Sequence, residues 1–390
     1  MIKYFDCAAT GYFSPKMHKI YKEVCDREHL NFNPSSIYEN SRYAKQSLEF
    51  ARKGILSLIG GFESDKLIFT SGGSESNNLA IKGWAFQKNK EGIPAYIYLS
   101  PVEHPSVVNT VDWLYENGFI EGYTFIPFDE KKGCVDIDNF SYLLETENPD
   151  NNFLVCAMAV NNETGVINDI KAIADLTHKY NGVLHVDGVQ ALGHLSINLR
   201  KVGVDMFSVS GHKLGVPRGA GFLYIKDGIE IQPLIHGGGQ EHGYRAGTEN
   251  VLDITVLYKA IEYKNDVWKI LQETLLHDYF IERLKTIDCN FHVNGDNSKI
   301  PIINVTFEGI DNEQLITVMD HYEECQISAG SACSNGTKKP SRVLMAMGLT
   351  EKEINNTVRI SFNSDYTKDD IDWFVRALER SIKRIKTAGG

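Results

Sequence analysis

Cysteine is sparse and unpatterned in this chain: seven residues in 390, Cys7, Cys25, Cys134, Cys156, Cys289, Cys325 and Cys333, with no CxxC pair among them. That excludes zinc ribbons and thioredoxin-like redox sites, offers no disulfide framework, and makes a reducing cytoplasm the expected setting. No apolar run approaches the length of a membrane-spanning helix. The opening residues Met1-Ile2-Lys3-Tyr4-Phe5-Asp6 lack the basic stretch and apolar core of a secretory signal, so no membrane partner is expected. Positive charge is in deficit as well. Forty Lys and Arg against 51 Asp and Glu leave a formal charge of -11, which on average repels nucleic acid and anionic lipid. Repeats, low-complexity tracts and long linkers are missing too.

What the chain does have is enough apolar material for a large core: 42% hydrophobic and 11% aromatic residues, consistent with two domains in one unit. A single pattern recurs, a short apolar run, then a polar or glycine-rich turn, then a helix-like stretch. The runs Leu67–Thr70, Ala95–Leu99, Phe153–Val160, Val183–Val186 and Met206–Val209 read as buried strands alternating with helices, which predicts an α/β fold with a mostly parallel sheet. In such sheets ligands bind beyond the carboxyl ends of the strands, so the polar clusters that follow these runs should converge. After about residue 255 the character changes. Helical spacing over 254–287, a strand-like run at 302–307, a helix near 311–320 and a loop over 328–340 suggest a smaller α+β domain. The expected division is 16–255 for the large domain, with 1–15 and 256–390 forming the small one.

Each cluster has a chemical reading and a bland one. Ser71-Gly72-Gly73-Ser74-Glu75-Ser76 could cradle a phosphate on backbone N–H groups at a helix start, or simply be a capped turn. Asp187 after a strand could be a cap. It gains meaning from Ser210-Gly211-His212-Lys213 one strand later, because a carboxylate for a pyridine nitrogen and an amine for a Schiff base are the minimal equipment of a pyridoxal-phosphate site. His104 could stack on an aromatic cofactor and carry protons, or be a satisfied histidine. Asn162 could donate to a ring oxygen, or make an Asx-turn. The run from His236 to His242 resembles a metal site only superficially, since three consecutive glycines preorganise nothing, and no metal is expected. Cys333 lies in a run of small polar residues, the setting of an exposed, reactive thiol, whereas Cys156 sits in an apolar strand and reads as core.

In this order and spacing the clusters resemble the cysteine desulfurases, pyridoxal-phosphate enzymes of the class V aminotransferase group. The likeness runs from Phe5-Asp6-Cys7-Ala8-Ala9-Thr10 and Asn33-Pro34-Ser35-Ser36, through Val160-Asn161-Asn162-Glu163-Thr164-Gly165, to Arg359-Ile360-Ser361-Phe362. It implies the type I fold with a seven-stranded sheet, pyridoxal 5'-phosphate as cofactor, and L-cysteine as substrate. Lys213 would be the Schiff-base lysine and the base that removes the Cα proton. Asp187 would hold the pyridine nitrogen, Gln190 and Asn162 the ring oxygen. His104 would stack on the ring and adjust protons, and Gly73, Ser74, Ser210 and His212 would bind the phosphate. Thr248 would reach the phosphate of a neighbouring subunit, implying a homodimer. Arg359, with Asn162, would bind the substrate. Cys333 would take the sulfur as a persulfide and pass it to an acceptor protein for iron–sulfur assembly or tRNA thiolation. Ser331-Ala332-Cys333-Ser334 matches the long-loop subgroup. Tyr38, Ser41, Cys7, Gly11 and Asn363 depart from the commonest residues of the family. A selenocysteine lyase or other aminotransferase-like enzyme, or a non-catalytic scaffold, are the alternatives.

Overall fold

The computed structural model describes residues 2–147, 152–295, 298–329 and 340–388. Its central feature is a seven-stranded sheet made of β1 (Lys66–Thr70), β2 (Tyr96–Leu99), β3 (Gly122–Phe125), β6 (Phe153–Met158), β7 (Val183–Asp187), β8 (Met206–Ser210) and β9 (Gly221–Ile225). A two-stranded hairpin, β4 (Phe128–Asp129) with β5 (Cys134–Val135), lies apart from it. The sheet order is β1-β9-β8-β7-β6-β2-β3. Every pairing from β8 to β3 is parallel, and only β9, inserted between β1 and β8, runs against its neighbours. The five expected strands are present. β6 stops at Met158 and β8 runs on to Ser210.

Burial explains the sequence pattern. Strands β6, β8 and β9 are buried at every position, so they read as continuous apolar runs rather than alternations. The covering helices include α1 (Pro15–Cys25), α2 (Glu39–Leu58), α3 (Gly73–Glu91), α4 (Pro105–Glu116), α5 (Ile137–Glu147), α6 (Ile170–Lys179), the single turn α7 (Leu199–Val202) and α8 (Val251–Lys264). The helical stretch expected over 254–287 is two helices. It breaks at Asn265-Asp266, where the Asp266 side chain accepts from Trp268 N–H and starts α9 (Val267–Leu284).

Beyond α9 stands a three-stranded antiparallel sheet, β10 (Phe291–Asn294), β11 (Ile302–Phe307) and β12 (Thr357–Ser361). It is covered by α10 (Asn312–Glu323) and α13 (Lys368–Ala388), while α11 (Arg342–Ala346) and α12 (Glu351–Asn355) lead into β12. Its core is separate from that of the large sheet and includes Phe280, Val305, Phe307, Val358, Ile360, Phe362 and Phe374. The side chains buried on α8 join the large-sheet core, whereas Leu276, Phe280 and Leu284 of α9 join the second one. Phe5 and Cys7 belong to the second core as well. The N-terminal segment is therefore a strap: it begins on the small sheet, at bridges to Gln326 and Ser361, and crosses to the large one.

Candidate active site

The carboxyl ends of β7 and β8 supply the floor of the site. Asp187 is the last residue of β7 and is buried. Its Oδ2 accepts from Asn77 Nδ2 at 2.8 Å and its Oδ1 from Val189 N–H at 3.0 Å. The local turn contact expected of a cap is thus present, together with a long-range partner that a cap does not need. Ser210 closes β8, and a tight 3-10 turn over Gly211–Leu214 presents His212 and Lys213. Gly72 and Gly73 lie against Ser210 and Val189. A Cβ on Gly73 would come within 2.7 Å of Val189 Cγ2, and one on Gly72 within 3.3 Å of Ser210 Oγ. Gly72 also sits at φ +154 and caps α3 without any side-chain hydrogen bond. The start of α3 next to Ser210 thus has no side-chain cap, an arrangement suited to an anion.

The strap forms the opposite wall. Lys213 Nζ donates to the carbonyls of Ala8 at 2.7 Å and Ala9 at 2.9 Å, and Gln190 Nε2 donates to Ala8 at 2.8 Å. Thr10 Oγ1 and His212 Nδ1 are 2.8 Å apart. Gly11 passes so close that a Cβ would meet the Lys213 carbonyl oxygen and the Gly215 nitrogen at 2.4 Å. Two of the family departures touch each other here: Cys7 Sγ lies 3.9 Å from Asn363 Nδ2, and 3.5 Å from the Tyr366 hydroxyl. The small domain adds Arg359 from β12. Its guanidinium donates to Asp6 Oδ1 at 2.8 Å and to the Asn162 carbonyl at 2.9 Å, while its Nε is buried without a partner. The Asx-turn considered for Asn162 falls instead on Asn161, whose Oδ1 accepts from the N–H groups of Glu163 and Thr164.

His104 is the N-cap of α4. Its Nδ1 accepts from Ser106 N–H at 3.1 Å and lies 2.8 Å from Ser106 Oγ. Thr248 is exposed on the segment after the glycine run and borders a pocket with Ser71, Gly219 and Arg245. That segment is held by two ion pairs. Arg245 donates to Glu75 on α3 at 2.9 Å, and the buried Arg52 of α2 engages both oxygens of Glu241, which also accepts from Phe69 N–H. Among the described residues no group of three or more His, Cys, Asp and Glu side chains is placed to hold a metal, and no helix is long and apolar enough to cross a membrane. Cys333 lies outside the described residues. The chain on either side of that stretch is anchored beside the site: Ser328 exchanges both backbone hydrogen bonds with Arg359, and Ser341 Oγ donates to Glu163 at 2.6 Å.

The electrostatics favour an amine that loses its proton readily. Burial, and then the Arg359 charge, bring the Lys213 pKa down to about 8, with Arg218 adding to the effect and Asp6 and Asp187 opposing it. Burial and the neighbouring Lys213 and Arg218 bring His212 down to about 4, so it is a neutral ring at physiological pH. Burial also lowers the His104 pKa, against the pull of Asp187 and with the help of Lys213. Glu103, fully buried, is pushed well above the carboxylate range by desolvation and then by Asp187. The motif reading gave no role to Asn77, Ser106, Asp6 or Glu103, although Asp6 stands in the run that carries the family resemblance and Ser106 in the first turn of a helix that follows a strand.

An uncapped helix start for an anionic group, a buried carboxylate, and a lysine of lowered pKa, all at parallel strand ends, define a site fitted to pyridoxal 5'-phosphate. The comparisons agree. The aminotransferase class-V family model matches residues 3–374. The cysteine desulfurase IscS of Dictyoglomus turgidum is 37% identical, covering 98% of this chain and 95% of that protein. That of Methanosarcina thermophila is 36% identical, covering 98% and 92%. Among solved structures, a NifS-like protein from Rickettsia africae is 29% identical with a TM-score of 0.85, covering 98% of this chain and 100% of that one. SspA in complex with cysteine is 31% identical with a TM-score of 0.78, covering 93% and 99%. The chain belongs to the class V aminotransferases, among the pyridoxal-phosphate-dependent cysteine desulfurases.

Proposed function

We propose that the protein converts L-cysteine to L-alanine and holds the released sulfur as a persulfide on Cys333. The observation that carries this reading is the meeting of Lys213, Asp187 and Arg359 at one strand-end cleft. Lys213 would carry the cofactor through its amine, and Asp187 would hold the pyridine nitrogen. Ser210, His212 and the N–H groups of Gly73 and Ser74 would bind the phosphate, and Asn162 and Gln190 would hold the ring oxygen. Pyridoxal phosphate supplies an electron-withdrawing ring for the substrate Cα.

Within that frame the protein binds and orients. Arg359 has a buried, unpartnered Nε, and this edge takes the substrate carboxylate. Lys213, released from Ala8 and Ala9, removes the Cα proton. Its low pKa leaves a substantial fraction as free amine near neutrality. The Cys333 thiolate attacks the substrate sulfur. An S–S bond forms, the Cβ–S bond breaks, and the carbon skeleton keeps the electron pair and takes up protons to become alanine. The sulfane sulfur on Cys333 then passes to an acceptor protein serving iron–sulfur assembly or tRNA thiolation, in the cytoplasm.

The domain division falls between the two cores. A homodimer is part of the proposal. Thr248 is exposed, free to reach a second copy, and Phe13, Ile37, Tyr38 and Phe50 leave an apolar surface uncovered on and around α1 and α2. The test is to incubate the protein with L-cysteine and map the sulfur by mass spectrometry. An extra sulfur atom on the peptide carrying Cys333, lost in Cys333→Ser together with sulfide release, is the expected result. Undiminished turnover in that variant would refute the nucleophile assignment.

A further inference from the structure

Four polar groups from three separate segments form a continuous chain beneath the site. Asn77 Nδ2 lies 2.8 Å from Asp187 Oδ2 and 2.9 Å from Ser106 Oγ. Ser106 Oγ lies 2.8 Å from His104 Nδ1, and Ser106 N–H donates to that same nitrogen at 3.1 Å. Asn77 is buried, and its Oδ1 has no partner. Bond directions along this chain follow from donor chemistry. The Asp187 carboxylate accepts, so the amide nitrogen of Asn77 is the donor on both sides. Ser106 Oγ, accepting from Asn77, directs its own single proton to His104 Nδ1. That nitrogen therefore meets two donors, the hydroxyl and the backbone N–H, and the neutral ring carries its proton on Nε2.

We propose that Asn77 and Ser106 are positioning residues that lock His104 in the Nε2–H tautomer while the same amide holds Asp187. The consequence is directional. His104 offers an N–H to the reacting groups and takes no proton from them at that nitrogen, which leaves Lys213 as the base. Structurally, one carboxamide couples Asp187 to the Ser106–His104 pair. This inference rests on the assignment of His104 and Asp187 to the cofactor site. The charges that face His104 are Asp187, which favours the imidazolium, and Lys213, which opposes it.

The experiment uses the full-length protein as purified, with its cofactor, labelled with 15N-histidine. The His104 signals are assigned by their loss in His104→Gln. In the wild type the ring should show a protonated Nε2 and an unprotonated Nδ1 across the physiological range. Ser106→Ala keeps the backbone bond but removes the hydroxyl. It should raise the titration midpoint by about one pH unit, the size of one lost hydrogen bond to the neutral ring, and let the Nδ1–H form appear. Ser106→Thr should restore the wild-type spectrum. Asn77→Ala should move the midpoint in the same direction by a smaller amount. The acid limb of the kcat/KM profile should shift with the spectra. An Nδ1–H ring in the wild type, or unchanged midpoints in Ser106→Ala, would overturn the proposal; an unchanged midpoint in Asn77→Ala alone would remove Asn77 from it. These spectra are read without turnover. Absence of alanine formation from L-cysteine would defeat the desulfurase reading and leave the tautomer result intact.

Discussion

The two walls of the cleft are built in different ways. The sheet wall carries Asp187, Ser210, His212 and Lys213 at the ends of adjacent parallel strands, each placed by a strand and the turn that follows it. The strap wall brings Ala8, Ala9 and Asp6 to Lys213 and Arg359 across more than two hundred residues of chain. One wall is held by local backbone geometry. The other is held by a few polar contacts that tie the small domain to the large one. The first should tolerate loss of a partner with its shape intact, while the second should register the loss in the charge state of Lys213.

Removing the amine itself has the largest expected effect. Lys213→Ala deletes the base and the attachment point, so alanine release should fall by at least roughly 10^3-fold, and the absorption band of the lysine-bound cofactor should be missing. Arg359→Lys, on the strap wall, keeps the charge but loses the planar fork. The kcat/KM for L-cysteine should drop by about 10- to 100-fold, with a smaller change in the spectrum than Lys213→Ala gives.

Asp6→Asn separates the walls more finely. Asp6 raises the Lys213 pKa, against the lowering by burial and Arg359, so its loss should carry the pKa further below 8. The measurement is the rate at which cofactor-depleted protein recaptures pyridoxal phosphate as a function of pH. The neutral amine is the nucleophile. The wild-type rate should therefore rise about tenfold per pH unit below the Lys213 pKa and level off above it, and in Asp6→Asn the plateau should begin at lower pH.

At neutral pH the smallest effect belongs to the interior of the sheet wall. His185, two residues before Asp187 and fully buried, has its pKa lowered to about 3 by desolvation. Its unfolded-state value is near 6.5, so the unfolded chain binds the extra proton first as the pH falls. Stability should decline below pH 6.5 and continue to decline toward pH 3, by at most about 1.4 kcal/mol per pH unit from this one group. Denaturation in urea from neutral to acid pH checks it, with a shallower slope expected for His185→Asn.

The same contrast decides what could be read from the sequence. Strand, turn and helix follow one another in the chain, so the parallel sheet and the clusters at Ser71-Gly72-Gly73, Asp187 and Lys213 were legible. β9 carried no polar cluster to mark it, and its reversal between β1 and β8 was invisible to periodicity. Asn77 and Ser106 looked like ordinary polar residues near helix starts, because their meaning lies in a contact between two helices. Asp6 carried the family resemblance, yet its pairing with Arg359 spans the whole chain and has no local signal. The Asx-turn belonged to Asn161 rather than Asn162, a one-residue difference that spacing does not resolve.

The central claim is that both walls together form a machine for taking sulfur from L-cysteine. The most direct measurement is the visible spectrum of the pyridoxal-phosphate-loaded protein as L-cysteine is added, with alanine and sulfide assayed in the same sample. A band that shifts on addition, with alanine and sulfide appearing in equal amounts under reducing conditions, is the predicted result. A band that ignores L-cysteine, with no alanine formed, would contradict it.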